Sequence, residues 1–200
     1  MARPRQYDAH LRERLLERAS RVIAEHGAGA LTLRALAAEA GTSTSAIYAL
    51  FGSKHELYLA VVQEAIASFG AAQVAVPVTS VPLDDLKALA WTYWDWGVRH
   101  PHLYHVMFSV AMADPKAVAE LRDVAQATRE PLRRCVVAAL TAGQIEGPEV
   151  GVVMSVWAAV HGVTSICVAQ VLGRNAPAES LRPLAAATIH MLTHGWAPRA

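Results

Sequence analysis

A run of 23 residues without a charged side chain, residues 150–172, constrains the fold of this chain more than any other feature. The run is long enough to cross a membrane as a helix. It also contains His161 and Gln170, and neither a cluster of basic residues nor an aromatic belt flanks it. A helix that is apolar on all sides can instead lie between its own core and a partner subunit. We therefore predict a dimer-forming helix, with Val163 facing the partner, and no membrane partner.

The composition excludes disorder and limits how the chain can bind nucleic acid. Hydrophobic residues make up 54% of the chain, charged residues make up 18%, and the formal net charge is +1. A chain of this composition can bury a sizeable core, and any affinity for DNA must come from locally placed charge. The first 21 residues supply such charge, because six Arg side chains stand there against Asp8, Glu13 and Glu17.

The N-terminus and the cysteines indicate the compartment. Residues 1–8 are polar and no apolar segment follows them, so we expect no signal peptide. The two cysteines, Cys135 and Cys167, are too few for a disulfide framework and are expected to be buried, reduced thiols. We therefore predict a cytoplasmic protein.

Apolar residues recur at three- and four-residue spacing through most of the chain, whereas strand-like alternation is nearly absent. We predict an all-α fold of nine or ten helices, bounded by capping residues, glycines and prolines. Asp8 is the expected N-cap of the first helix, and Gly173 is expected to end the uncharged one. The predicted helices span residues 8–26, 33–40, 44–51, 53–69, 83–99, 101–113, 115–142 with a kink or split near Pro131, 148–172 and 180–194.

Residues 70–82 carry two prolines and several valines, which is typical of a linker. This segment divides the chain into two predicted domains. The head, residues 9–69, contains the three-helix N-terminal part, and the body, residues 83–196, contains the C-terminal helical bundle.

The most informative segment of the head is LTLRALAAEAGTSTSAIYALFGSKHEL, residues 31–57. Two short helices joined by a turn containing Gly41 predict a helix-turn-helix. The exposed face of the second of these helices then carries Thr44, Ser45 and Tyr48, which suits entry into a major groove. Thr32, Tyr48 and Lys54 stand at helix ends or rims, where they can hold phosphates. An ordinary helical hairpin gives the same periodicity, so the spacing alone leaves both interpretations open.

The register of this segment resembles the N-terminal domain of TetR-family regulators over residues 9–69. The resemblance lies in the Leu-Thr-x-Arg-x-Leu-Ala-x-x-Ala-Gly stretch, the Ser43 cap, Ile47-Tyr48, Phe51 and Gly52-Ser53-Lys54-x-x-Leu57. It implies a regulator, ordinarily a ligand-responsive repressor, that binds a palindromic operator in double-stranded DNA as a homodimer. The DNA contacts that it implies are Thr32, Thr44, Ser45, Tyr48 and Lys54. Many relatives carry aromatic residues or histidine where this chain has Ala49 and Leu50, which puts one backbone contact in doubt.

The body resembles one TetR subgroup, which is named for a Trp-His-Gly pattern. The matching features are His100-Pro101-His102-Leu103-Tyr104 with Met107-Phe108, and Trp157-Ala-Ala-Val-His161-Gly162. This resemblance implies a domain for dimerisation and for binding a small molecule.

We predict a largely apolar effector site in the body, because large rings are abundant and charges are scarce there. The candidate ligand-binding residues are Trp91, Trp94, Tyr104, Phe108, Trp157 and His161. The alternative for each tryptophan is core packing, and the alternative for His161 is a hydrogen-bonded core or interface histidine. A small hydrophobic, uncharged effector fits the predicted site better than an anion.

Metal binding and catalysis have weaker support. His100, His102 and His105, and the pair His190 and His194, suggest a metal, but no carboxylate or cysteine stands beside them at ligand spacing. No nucleophile elbow, phosphate loop or paired-carboxylate motif is present, so we predict no catalytic residue, no metal site and no cofactor. The rival function is a helical small-molecule or metal-binding module that does not read DNA.

Overall fold

A computed structural model describes residues 5–113, 119, 121 and 126–195 of the chain. In these residues the regular structure is entirely helical, which confirms the predicted all-α fold. Nine α-helices and one short 3-10 turn, Ala28–Ala30, make up the described part. The α-helices are α1 (Arg5–His26), α2 (Leu33–Ala40), α3 (Thr44–Phe51), α4 (Lys54–Val74), α5 (Pro82–Arg99), α6 (Pro101–Ala113), α7 (Glu130–Thr141), α8 (Glu149–Arg174) and α9 (Ala178–Gly195).

The chain forms two compact units. The first comprises residues 1–67 and 102–122, and the second comprises residues 68–101 and 123–200. In the first unit, α1, α2, α3 and the start of α4 enclose a core of aliphatic side chains. Its most deeply buried members include Leu15, Leu31, Leu36, Ile47, Leu57 and Val61. In the second unit, α5, α7, α8 and α9 pack against one another.

Two boundaries in the N-terminal half differ from the sequence prediction. Helix α1 begins at Arg5, so Asp8 lies inside it and is not its N-cap, because Arg and Gln are good helix formers that extend the helix backwards. Helix α4 continues to Val74, so residues 70–74 are helical and not part of a linker. Gly70 costs only about 1 kcal/mol inside a helix, and the alanines and glutamine that follow it favour the helix.

The remaining loop before α5 is held by side-chain hydrogen bonds. Asp85, which is buried, accepts hydrogen bonds from the backbone N–H of Thr79 at 2.9 Å and from its hydroxyl at 2.6 Å. The backbone N–H of Leu83 donates to Oε1 of Gln144 at 2.9 Å, which ties the start of α5 to the turn before α8. These bonds fix the C-terminal part of the loop and the start of α5.

Helix ends in the second unit follow the predicted chemistry with one correction. Helix α7 begins at Glu130 with Pro131 in its first turn, which confirms a break near this proline; the predicted start of that helix at residue 115 lies outside the described residues. Helix α8 ends at Arg174 and not before Gly173. Asn175 adopts the left-handed conformation, with φ 51°, and its N–H caps the carbonyl of Gln170.

The faces of α8 differ sharply in exposure. Val163 and Cys167 are buried with Trp94, Val98 and Ala185 in the core of the second unit, so the prediction that Val163 faces a partner is wrong. The exposed face instead carries Val150, Met154 and Ile166, and α9 exposes Leu184 and Met191. Cys135 is buried as well, and both cysteines are free thiols, as predicted.

Two helices in the described part are long and apolar enough, by length and composition alone, to cross a membrane. They are α4 and residues Glu149–Val171 of α8. Core helices of water-soluble proteins pass the same test, so this finding is weak support for a membrane span.

Candidate functional site

Side-chain caps and a left-handed glycine set the angle between α2 and α3. The Thr32 hydroxyl accepts a hydrogen bond from the N–H of Ala35 at 3.3 Å, and the Ser43 hydroxyl accepts one from the N–H of Ala46 at 3.1 Å. Gly41 ends α2 with φ 63° and ψ 40°, a conformation in which a side chain is strained. The three-residue turn from Gly41 to Ser43 therefore has little freedom, as a helix-turn-helix requires.

Burial separates the two faces of α3. Ile47 and Phe51 are buried, whereas Tyr48 is 54% exposed and Ser45 is exposed beside a half-buried Thr44. Of the three side chains predicted to face DNA, Ser45 and Tyr48 are therefore exposed on the outer edge of α3, and Thr44 is half-buried at its start. Their hydroxyl groups can donate to and accept from base edges or phosphates.

The helices before and after α3 in the chain also begin with exposed side chains that can meet a phosphate. Thr32 is exposed at the start of α2, and Lys54 is exposed as the first residue of α4. The Ser53 hydroxyl accepts from the N–H of Glu56 at 3.0 Å and so caps α4. The positive ends of helix dipoles favour anions such as phosphate, and Lys54 adds a full charge at that position.

Helix α1 braces this motif through its arginines. The guanidinium of Arg12 lies 5.6 Å from the centroid of the Phe51 ring at the end of α3. Arg18 lies 3.7 Å from a carboxylate oxygen of Glu39 on α2. These two contacts join α1 to both helices of the motif.

In the second unit, α5 presents its rings on two sides. Trp91 and Trp94 meet edge to face at 5.8 Å, and Trp94 belongs to the core cluster with α8 and α9. The guanidinium of Arg182 on α9 lies 4.4 Å from the centroid of a Trp91 ring and 3.4 Å from Oδ1 of Asp95. Trp91 and Trp94 therefore lie on the side of α5 that packs against α9.

A second group of rings surrounds His161 on α8. Trp157 stacks on the His161 ring with centroids 4.9 Å apart and planes 8° apart, as their four-residue spacing predicts. The hydroxyl of Tyr93 on α5 lies 3.0 Å from Nδ1 of His161. Burial of the ring lowers the pKa of His161, which favours the neutral imidazole.

Sequence reasoning missed Tyr93. It stands between Trp91 and Trp94, which were singled out as candidate ligand-binding residues, but it was not itself among the candidates. Its pairing with His161, 68 residues further along the chain, depends on how α5 and α8 pack. No local pattern signals that contact.

The predicted effector residues fall in both units. Trp91, Trp94, Trp157 and His161 belong to the second unit, whereas Tyr104 and Phe108 belong to the first. On α6 the rings of Tyr104 and Phe108 lie 4.7 Å apart, and Tyr104 is buried. That these two groups form one site stays a prediction.

The histidines do not form a recognisable metal centre in the described part of the chain. No group of three or more His, Cys, Asp or Glu side chains there has a geometry that could hold a metal ion. His100 packs on the Trp96 ring at 5.5 Å, and burial lowers the pKa of both His100 and His102. The side chain of His194 lies outside the described residues.

Comparison with known proteins agrees with this geometry. Residues 15–61 match the family profile "Bacterial regulatory proteins, tetR family", and residues 86–192 match "Tetracyclin repressor-like, C-terminal domain". The HTH-type transcriptional repressor SCO4008 of Streptomyces coelicolor is 30% identical over 134 residues, which are 67% of this chain and 65% of that protein. The chain thus spans just under two thirds of the length of this curated relative.

Solved structures share the fold over nearly the whole chain. A regulatory protein of the tetR family from Rhodococcus RHA1 has a TM-score of 0.75 and 21% identity, with 95% of this chain and 98% of that chain covered. The fatty acid degradation regulator FadR of Bacillus halodurans has a TM-score of 0.79 and 16% identity, and both chains are covered completely. The two profiles together cover most of the chain, and the second alone covers more than half of it. This chain therefore belongs to the TetR family of bacterial regulatory proteins.

Proposed function

We propose that this chain is a cytoplasmic, homodimeric transcriptional repressor that binds a palindromic operator and is released from it by a small uncharged effector. The observation that carries the proposal is the outer edge of α3, where Tyr48 and Ser45 are exposed while Ile47 and Phe51 anchor the helix below. Residues 9–69 act as the DNA-binding head and residues 83–196 as the body.

The five DNA-binding residues divide into two roles. Thr44 and Ser45, at the start of α3, lie where a recognition helix meets base edges, so they select sequence. Thr32 and Lys54, at the N-termini of α2 and α4, and Tyr48, on α3, hold phosphates, which positions the head without selecting sequence.

Dimerisation rests on the exposed apolar faces of α8 and α9. Val150 is 74% exposed and Met191 is 72% exposed, and the run 150–172 carries no charge. Apolar surface of this kind is costly in water. Pairing these two helices with their copies in a second chain covers it as a four-helix interface, without lipid.

The effector site rests on the rings around His161. Trp157 offers a flat apolar surface, and the neutral imidazole and the Tyr93 hydroxyl offer hydrogen bonds. A mostly apolar site with few polar groups is typical of small-molecule recognition. For the effector to release DNA, it must bind the conformation with low DNA affinity better than the one with high affinity.

Selection from a pool of random duplex DNA tests the proposal against a helical module that binds a small molecule or a metal without reading DNA. A repressor enriches a palindrome with half-sites about one helical turn apart, and its affinity falls steeply with salt. Thr44→Ala should change the enriched sequence, whereas Thr92→Ala, the same change on α5, should leave it unaltered. Enrichment of no sequence at any salt concentration would favour the non-DNA module.

A further inference from the structure

Both ring nitrogens of His161 face hydroxyl groups. The Tyr93 hydroxyl lies 3.0 Å from Nδ1, and the hydroxyl of Ser165, one turn further along α8, lies 3.4 Å from Nε2. The first distance is that of a good hydrogen bond, and the second is at the long limit. The Tyr93 contact is therefore the stronger of the two.

Packing holds the two partners of this hydrogen bond in place. The ring of Phe69 meets Tyr93 edge to face at 5.0 Å, and Tyr93 is only 7% exposed. Trp157 lies parallel to the imidazole and fixes its plane. The hydroxyl and Nδ1 therefore meet at a set position, and side-chain rotation does not easily separate them.

The hydrogen bond from Tyr93 selects a tautomer. A phenol hydroxyl is a better proton donor than a neutral imidazole N–H, so the pair is O–H donating to Nδ1. In a neutral ring the other nitrogen, Nε2, then carries the hydrogen. His161 consequently presents an N–H donor toward Ser165, and that long contact is weak enough for another acceptor to replace it.

We propose that Tyr93 is a positioning residue that makes Nε2 of His161 a hydrogen-bond donor, and that the effector is a neutral molecule with an acceptor oxygen, such as a ketone, that lies on Trp157. This inference rests on the proposed function. A ligand donor finds Nδ1 already occupied by Tyr93. Asp95 and Arg99 are the only charged residues between Trp91 and Phe108, so an anion that gave up its hydration would find few partners there, and a neutral molecule needs fewer.

Nitrogen NMR of histidine-labelled protein tests the positioning role without any ligand. His161→Phe, which keeps a flat ring, assigns the signal. The wild type should show the tautomer with hydrogen on Nε2, and Tyr93→Phe should shift the signal toward a mixture. Thr92→Val removes a hydroxyl one residue away, which bonds only the carbonyl of Ala88, and should leave the signal unchanged. Hydrogen on Nδ1 in the wild type would overturn the inference.

Matched ketones and hydrocarbons test the effector class. The probes are fluorenone with fluorene, acetophenone with ethylbenzene, and methyl nonyl ketone with undecane, and binding to the full-length protein is measured by calorimetry. In at least one pair the ketone should bind about threefold to tenfold tighter, and Tyr93→Phe and His161→Phe should each remove that difference. Thr92→Val should retain it.

The failures of the two proposals are distinguishable. Hydrocarbons that bind as tightly as their ketones, or a ketone preference that survives Tyr93→Phe, would overturn the inference and leave the effector site standing. If no probe binds, the effector site itself fails, and the inference fails with it. Selection of an operator from random DNA would still support the DNA-binding part of the proposed function.

Discussion

Helices α3 and α8 each leave one face uncovered by the unit to which they belong, and the chemistry of the two faces is opposite. The exposed edge of α3 carries hydroxyl groups on Ser45 and Tyr48, whereas the exposed face of α8 carries Val150, Met154 and Ile166. Hydroxyl groups form hydrogen bonds with water, so their exposure costs little free energy and the edge of α3 can bind a polar partner reversibly. An apolar face gains from staying covered. This contrast supports the proposed reversible contact with DNA at α3 and the proposed permanent contact with a second chain at α8.

The largest expected effect comes from placing a charge on the α8 face. Ile166→Arg buries an unpaired cation in the proposed dimer interface, which should cost about 3–5 kcal/mol and raise the dimer dissociation constant more than about a hundredfold. Light scattering across a concentration series measures the mass of the particle. The wild type should be a dimer at micromolar concentration.

A control separates charge from position. Ala88→Arg adds the same side chain to an exposed site on α5, outside the apolar face, and should leave the mass unchanged. If the variant Ile166→Arg were still a dimer, the exposed face of α8 would not lie in the dimer interface. The proposed contrast between a permanent contact at α8 and a reversible one at α3 would then be wrong.

The next effect concerns α3 and the α4 terminus beside it. Thr44→Ala or Ser45→Ala should cost about 1–3 kcal/mol at particular bases and change which operators bind. Lys54→Ala should weaken binding to all sequences and flatten the salt slope by about one unit per head. Affinity measured over a salt series on selected operators and their mismatched versions distinguishes these outcomes.

Lys87→Ala provides the matched control for Lys54→Ala. Lys87 lies in the second unit, where its ammonium is 3.1 Å from Asp84, and its removal should leave the salt slope intact. If Lys54→Ala changed the sequence preference but kept the salt slope, the assignment of phosphate and base contacts would be reversed.

Local chemistry explains why the helix-turn-helix was predictable to the residue. The Thr32 and Ser43 caps and the left-handed Gly41 each form hydrogen bonds that span at most four residues, so the bounds of α2 and α3 follow from the sequence alone. The errors in the same half are also local. Asp8 and Gly70 can cap or interrupt helices, but good helix formers beside them extended α1 and α4 through both positions.

The second unit was predictable in kind but not in detail. The absence of charge from residues 150–172 indicated a covered helix. A run without charges does not show, however, which side of that helix faces the core and which faces outward. Val163 therefore fell on the wrong face. For the same reason Tyr93 was missed, since its bond to His161 depends on packing between distant helices. The orientation of Val163 and the partner of Tyr93 both depend on tertiary contacts, which local sequence patterns do not reveal.

A smaller effect, on the free energy of unfolding, should come from the contact of Arg182 on α9 with α5. Arg182→Gln removes a guanidinium that covers Trp91 and pairs with Asp95, and both groups are partly exposed. A cation over an exposed ring and a surface ion pair each contribute about 0.2–1 kcal/mol, so the loss should be about 1 kcal/mol. Denaturant unfolding of the variant measures this change.

A double-mutant cycle apportions that loss. Asp95→Asn alone should cost less than Arg182→Gln, and the double variant should lose little more than Arg182→Gln, because the ion pair is absent in both. Arg174→Gln at the end of α8 removes an exposed Arg elsewhere in the unit and should change the free energy of unfolding only slightly. Additive losses in the cycle would show that Asp95 and Arg182 do not interact.

The smallest expected effect is a dependence of the free energy of unfolding on pH. It should come from His161 on α8 and has no counterpart on the exposed edge of α3, which carries no histidine. Burial lowers the pKa of His161 below the ordinary value of 6.5, so in acid the unfolded chain binds a proton that the folded chain resists. The free energy of unfolding should therefore be unaffected by this group well above pH 6.5 and should fall as the pH drops below it.

His100 and His102 also have lowered pKa values, so the difference between the wild type and His161→Gln isolates the share of His161. That difference should become less favourable to the wild type as acid is added, in unfolding curves recorded at matched ionic strength. A difference that stays constant between neutral and mildly acidic pH would mean that His161 titrates alike in both states and that burial does not lower its pKa.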